Sequence, residues 1–442
     1  MTFLSHRSVA TFLLLGFSLA GAACSGGGAI APDDAGGDVD IGNDAAPPQD
    51  DGGILDANNG APSDAYPAPH PAFPTISSEG TVLASPKIMP IFFTGDPSMS
   101  NLTAFIQGIG ASSYWKSAVA EYGVGPAVAE DAVVADPSEL GVDAGTTMTP
   151  QQIEDFVTAH LDGTHAGWGS PDASTVYVVF LPASVQVSDG SYGVSCVNIG
   201  GYHDSVAIKG VTAAFAVIPR CSSFGGMTGD DVTTSSTSHE IVEAVTDPFP
   251  RQGMYGYADV DQDHIIYSFM PLTELGDMCA QEGDSYFKPA DFDFTVQRIW
   301  SNAAAAAGRS PCQPEPAGSV YYAAVPVLPK ATLTYQNYSL PTRGVVVPLG
   351  KSATFDLDLI SDGPMSSPMH VEVLDSAQTS GKAADVSYTL DRSSGYNGEI
   401  LHVTATRNKN GTYGGSEFLV LAATDIGNAS TWHFFFGFAA NQ

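Results

Sequence analysis

The chain has 442 residues, 43 % of them hydrophobic, and carries 16 basic against 48 acidic side chains for a net charge of −32. That length predicts two or three domains with real cores. The acidic balance argues against nucleic acid as a partner and against electrostatic attachment to anionic membranes, and it agrees with export and with divalent-cation binding.

The N-terminus has the layout of an export signal. His6 and Arg7 precede an apolar run from Val9 to Ala20 that is too short to span a bilayer permanently. Leu19-Ala20-Gly21-Ala22-Ala23-Cys24 then resembles a bacterial lipoprotein cleavage region, with Gly21 standing where Leu is commonest. The resemblance implies a signal over residues 1–24, lipidation at Cys24 and, from Ser25, retention at the outer membrane; ordinary cleavage and secretion is the alternative. Residues 25–77 are mostly Gly, Ala, Pro and Asp, a composition that buries too little apolar surface to order itself. They are expected to form an acidic tether.

A first folded domain is expected over 78–314. Apolar runs at Lys87–Phe93, Ser174–Leu181 and Ala213–Pro219 predict buried strands. Helical patterns occupy Asn101–Ile109, Ser113–Tyr122 and Thr149–His160, the last opened by Thr149-Pro150-Gln151-Gln152. Strands alternating with helices predict an α/β (α+β) layer fold.

The most informative stretch is Ser238-His239-Glu240-Ile241-Val242-Glu243, ended by Asp247-Pro248. On a short buried helix His239 and Glu243, at i and i+4, share one face with Glu240 beside them. An imidazole and a carboxylate one turn apart suit a divalent metal, and a neighbouring carboxylate suits a general base. This is the zincin His-Glu-x-x-His logic with Glu in place of the second His. The bland reading is an amphipathic helix with solvated polar residues.

Glu274 and Asp277, just before Cys279, are candidates to complete a metal shell, against a solvated acidic loop. His203, in Gly200-Gly201-Tyr202-His203, is a candidate ligand or oxyanion donor, against a plain surface His. Asp259-Val260-Asp261-Gln262-Asp263 alternates as a calcium loop does but lacks the Gly and the closing Glu of an EF-hand. No Gly-x-Ser-x-Gly, phosphate-binding loop or dinucleotide fingerprint occurs. With Cys24 set aside, Cys196, Cys221, Cys279 and Cys312 form an even set that suggests two disulfides. Nearness favours Cys196–Cys221 and Cys279–Cys312, with the other two pairings left open.

Residues 318–442 read as all-β. Ala353, Phe355, Leu357 and Leu359 alternate with polar residues, Val371 and Val373 repeat the pattern, and further strands are expected at Glu399–Thr406, Glu417–Ala423 and Thr431–Phe438. Strands at this spacing predict an immunoglobulin-like sandwich.

Several stretches of the first domain resemble the Exordium, or phosphate-induced protein, family of plants and its bacterial relatives. They are Pro90-Ile91-Phe92-Phe93-Thr94-Gly95, Ser113-Tyr114-Trp115-Lys116, Cys196 to His203, the His-Glu-x-x-Glu helix, Glu274-Leu275-Gly276-Asp277-Met278-Cys279, and Val296 to Asn302 with Cys312 behind. The resemblance spans most of residues 87–312 and departs by an acidic insert at Asp259–His264. It implies an extracellular protein and says little about reaction.

These readings converge on a secreted, lipid-anchored, monomeric metal-dependent hydrolase, a zincin-like metallopeptidase acting on protein or peptide. Zinc is the expected ion, with calcium or manganese as carboxylate-favoured alternatives. The competing reading is a non-enzymatic surface protein with a structural metal and a sandwich that binds carbohydrate or another cell-surface polymer or protein.

Overall fold

The computed structural model describes residues 60–142, 145–188, 193–250, 255–270, 272–335 and 338–442. The signal, Cys24 and most of the tether lie outside them. By content the described chain is mostly strand with few helices.

The first part of the chain is built on a six-stranded sheet. Its long strands are β1 (Lys87–Phe93), β2 (Thr175–Phe180), β3 (Tyr202–Ile208) and β4 (Val211–Ile218), in the spatial order β1-β2-β4-β3. β1, β2 and β4 run parallel and β3 closes the edge antiparallel to β4, with His203 opposite Ala216. All six residues of β2 are buried, as a parallel strand covered on both faces requires. Phe92, Val178 and Ala216 point to the core shared with α1 (Met99–Ile109), α2 (Ser113–Val119) and α4 (Asp230–Thr246). Ile91, Val179 and Val217 point to a separate core with α3 (Pro150–His160). Thr149 caps α3 through a reciprocal box with Gln152, as its start signal predicts.

The C-terminal part packs two antiparallel-rich sheets. One has the order Tyr322–Val327, Ser352–Ser361, Ile400–Arg407, Val386–Leu390; the other Val345–Val346, Trp432–Ala440, Gly415–Ala423, Met369–Asp375, Ser394–Gly395. Phe355 of the first sheet meets Phe418 of the second at 5.2 Å between ring centroids. Along Ile400–Arg407 the inward Leu401, Val403 and Ala405 are buried while His402 and Thr404 between them are exposed, the alternation predicted for a sandwich strand, whereas Gly415–Ala423 is buried at nearly every position.

Two expectations change. The tether was expected to reach residue 77, but residues 60–77 are packed. Phe73 and Ile76 are buried, Asn397 Nδ2 donates to the carbonyls of Ser63 and Ala65, and Ile76–Ser78 pairs with Tyr257–Val260. A few aromatic and aliphatic side chains in this Pro-rich segment find apolar partners that an isolated segment lacks. The two parts of the chain also do not keep separate interiors. One hydrophobic cluster runs through both, and Glu282–His433 (2.7 Å) and Arg343–Asp263 (2.7 Å) join them at its rim.

Candidate metal centre

α4 carries the site. It starts after Gly229, whose φ of +62° favours glycine, and its first turn holds Asp230 and Asp231, where carboxylates suit the helix dipole. It runs 17 residues, longer than the short helix expected. Its middle is polar yet buried because the hydroxyls bond back along the helix: Thr237 Oγ1 donates to the Thr233 carbonyl and Ser238 Oγ to that of Ser235. Ile241, Val242, Ala244 and Val245 are fully buried and fix its rotation.

That rotation turns His239, Glu240 and Glu243 into the interior, with exposures of 5 %, 1 % and 0 %. His239 Nε2 lies 3.0 Å from Glu243 Oε2, so the i, i+4 relation holds. Asp247, four residues further along, extends the stripe. The sequence marks it as a helix stop before Pro248, and its i, i+4 spacing from Glu243 also carries it to the site.

Three other segments close on this face. Glu274 and Asp277 come from the turn leading into α5 (Asp277–Ala280), and both are buried rather than solvated. Cys279 is bonded to Cys312, and the Trp300 amide donates to the Leu275 carbonyl (2.9 Å), so this turn is held from two sides. Gly276 lets it approach: a Cβ there would stand 2.7 Å from both Glu243 Oε1 and His239 Nδ1. The Asp277 amide donates to Glu243 Oε1 at 3.1 Å, and Asp277 Oδ1 is 3.7 Å from His239 Nε2.

His203 enters from β3. The glycines before it predict a loop, but Tyr202–Ile208 forms an edge strand. His203 is buried, and its Nδ1 lies 3.7–3.8 Å from Glu240 Oε2, Glu243 Oε2 and Glu274 Oε2. Its Nε2–H donates to the Asp247 carbonyl at 3.1 Å. Gly201 makes room for Glu240, because a Cβ there would be 2.7 Å from Oε1. The disulfide Cys196–Cys221 ties the loops on either side of the β3–β4 pair. Both disulfides are those that nearness favoured, and they belong to a chain that folds in an oxidising, extracytoplasmic compartment.

Gln297 carries no sequence signal of a site residue, yet the fold brings it against His239. Its Nε2 donates to the Gly276 carbonyl (2.7 Å), which leaves Oε1 to accept from His239 Nδ1–H (3.1 Å). Its amide donates to Ser238 Oγ (2.9 Å).

The electrostatics are demanding. Five carboxyls and two imidazoles share one buried region, and buried charge is costly unless compensated. Burial pushes Glu240, Glu274, Asp277 and Asp247 upward. Burial also opposes ionisation of Glu243, but His239 and His203 outweigh it and hold that carboxyl below its usual range. For His239 burial opposes the cation, yet Glu243 and Glu240 prevail and lift it to about 9. His203 is raised likewise, chiefly by Glu274 against the opposing effect of burial.

The donor set fits a divalent cation. His239 Nε2, Glu240 Oε2, Asp247 Oδ2 and Asp277 Oδ2 are buried without a hydrogen-bond partner, the 3.0 Å contact of His239 being outside hydrogen-bond geometry. Three sets of side chains each bring their ligand atoms within 4.8 Å of one another: His203–Glu240–Glu243, His203–Asp247–Glu274 and His239–Glu243–Asp277. The acidic insert is not among them. Asp261 accepts from the His264 and Thr75 amides, and Asp263 pairs with Arg343, so these carboxylates are engaged by the protein. Among the described residues no helix is long and apolar enough to cross a membrane.

No family model and no curated protein matches this chain. Among solved structures it is similar to domains 4 and 5 of the S-layer protein SbsC at 15 % identity, over 36 % of this chain and 92 % of that one, with a TM-score of 0.16. A longer SbsC structure, domains 1–6, is similar at 14 % identity over 33 % of this chain and 23 % of that one, also with a TM-score of 0.16.

Proposed function

We propose that this protein is an extracytoplasmic, metal-dependent hydrolase of zincin-like design, held at the cell surface through Cys24 and acting on protein or peptide. The observation that carries the reading is the orientation of His239: Gln297 takes its Nδ1–H, so Nε2 faces Glu243 and Asp277 without a hydrogen-bond partner of its own. His239, Glu243 and Asp277 would hold the ion, as three protein ligands do in catalytic zinc sites. Zinc suits a hydrolase because it supplies Lewis acidity without redox chemistry, though so many carboxylates also suit manganese.

Glu240 has the position of a general base. It adjoins His239 on α4, its Oε2 has no hydrogen-bond partner, and burial raises its pKa, which makes the carboxyl a better acceptor for a proton from water that it can return to a leaving amine. Purified protein should therefore contain transition metal by elemental analysis, and His239→Ala should contain less. Glu240→Gln should keep the metal and the fold but lose about 10²–10⁴-fold of turnover in a peptide-substrate screen. Wild-type protein free of bound metal after exposure to zinc would sink the reading.

Burial favours a second reading. Glu243 is 0 % and Glu240 1 % exposed, which suits a structural ion in a non-enzymatic surface protein whose sandwich binds carbohydrate or another surface protein. In that case Glu240→Gln changes no activity.

A further inference from the structure

The single-ion reading uses His239, Glu243 and Asp277 and leaves His203, Asp247 and Glu274 unexplained. These three are also buried, come from three different segments, and bring their ligand atoms within 4.8 Å of one another. His203 is oriented as His239 is. Its Nε2–H is spent on the Asp247 carbonyl, so the Nδ1 lone pair faces the carboxylates, the second hydrogen bond that typically fixes a metal-ligating imidazole.

The spacing is informative. Three carboxylate oxygens, of Glu240, Glu243 and Glu274, stand 3.7–3.8 Å from His203 Nδ1. Ligand atoms of a four-coordinate shell with bonds of about 2.0–2.3 Å lie about 3.3–3.8 Å apart. Asp247 Oδ2, buried and without a hydrogen-bond partner, adds a second ligand-seeking atom on this side. Glu243 Oε2 lies between the two halves, 3.0 Å from His239 Nε2 and 3.7 Å from His203 Nδ1.

We propose that the cluster is a two-cation centre, with one ion between His239, Glu243 and Asp277, a second between His203, Asp247 and Glu274, and Glu243 shared by both. The proposal rests on the reading of this cluster as a metal site and adds its stoichiometry and a bridging carboxylate. Glu240, beside both halves, remains available as the base. Two divalent ions also offset the negative charge of five buried carboxylates better than one does.

Manganese chloride titrated into metal-free purified protein tests this without any substrate. Electron paramagnetic resonance of the free ion counts the tight sites, and the spectrum of the bound ion reports coupling. The expected result is two ions per chain with an exchange-coupled spectrum. Glu274→Gln and Asp277→Asn, whose folding is checked by circular dichroism, should each retain one ion with an uncoupled six-line spectrum. One ion per chain in the wild type, or loss of all metal in both folded variants, overturns the paired centre while leaving the single-ion reading intact. No bound ion in the wild type overturns both.

Discussion

Gln297 orients His239: its side-chain amide is locked by donation to the Gly276 carbonyl, and its carbonyl oxygen receives His239 Nδ1–H at 3.1 Å. A residue on a short strand (Val296–Gln297) thereby decides which nitrogen of a helix-borne imidazole faces the carboxylates. Partners of this kind commonly set metal affinity as strongly as the ligands they hold.

Gln297→Leu should accordingly weaken metal binding about 10–100-fold, read by competition with a chromophoric chelator. Gln297→Glu keeps the acceptor for Nδ1–H and should retain more of the affinity. Equal affinity in wild type and the Leu variant would show that this bond does not orient the ligand.

Gly276→Ala places a methyl 2.7 Å from Glu243 Oε1 and His239 Nδ1, atoms held by their own hydrogen bonds. Overpacking of this kind costs about 1–3 kcal/mol. The melting temperature should fall and metal affinity with it. Gly201→Ala crowds Glu240 instead, so its effect should be on turnover more than on metal content.

The pH dependence of metal-free protein has a definite sign. His239 titrates near 6.5 when unfolded and is lifted to about 9 when folded, because Glu243 and Glu240 outweigh the effect of burial. The folded state thus binds more protons across that window, and stability present below pH 6.5 is lost as pH rises toward 9. His203, Glu240, Glu274 and Asp277, all raised, act in the same direction. Glu243, held low, contributes stability that is lost only in acid, as pH falls below the ordinary carboxyl range. Thermal unfolding in chelator should show a lower midpoint at pH 9 than at pH 6.5. Added divalent ion should reverse the trend, since ligands must shed protons to bind it. A midpoint that rises with pH in chelator would contradict the assignment.

Replacing Cys279 and Cys312 together by Ala should cost about 2–4 kcal/mol in stability. Because Cys279 lies two residues past Asp277, that variant should also bind metal more weakly. A drop in stability with unchanged affinity would mean that the turn is held by the Leu275–Trp300 hydrogen bond alone.

Much of this protein is legible from its residues because the relevant geometry is local. An i, i+4 spacing puts His239 and Glu243 on one face of any helix, a capping box starts α3 at Thr149, and continuous apolar runs become the buried parallel strands β1, β2 and β4. Alternation likewise announces the sandwich. What local pattern does not carry is distance between remote segments. The edge pairing of β3 with β4 brings His203 into the cluster, the turn at Gly276 brings Glu274 and Asp277 within reach of α4, and Gln297 selects the tautomer of His239. The packing of residues 60–77 against Asn397 and the shared interior of the two parts belong to the same class. Periodicity along the chain reports which face a residue takes; only the folded path, set by packing among segments far apart in sequence, decides what that face meets.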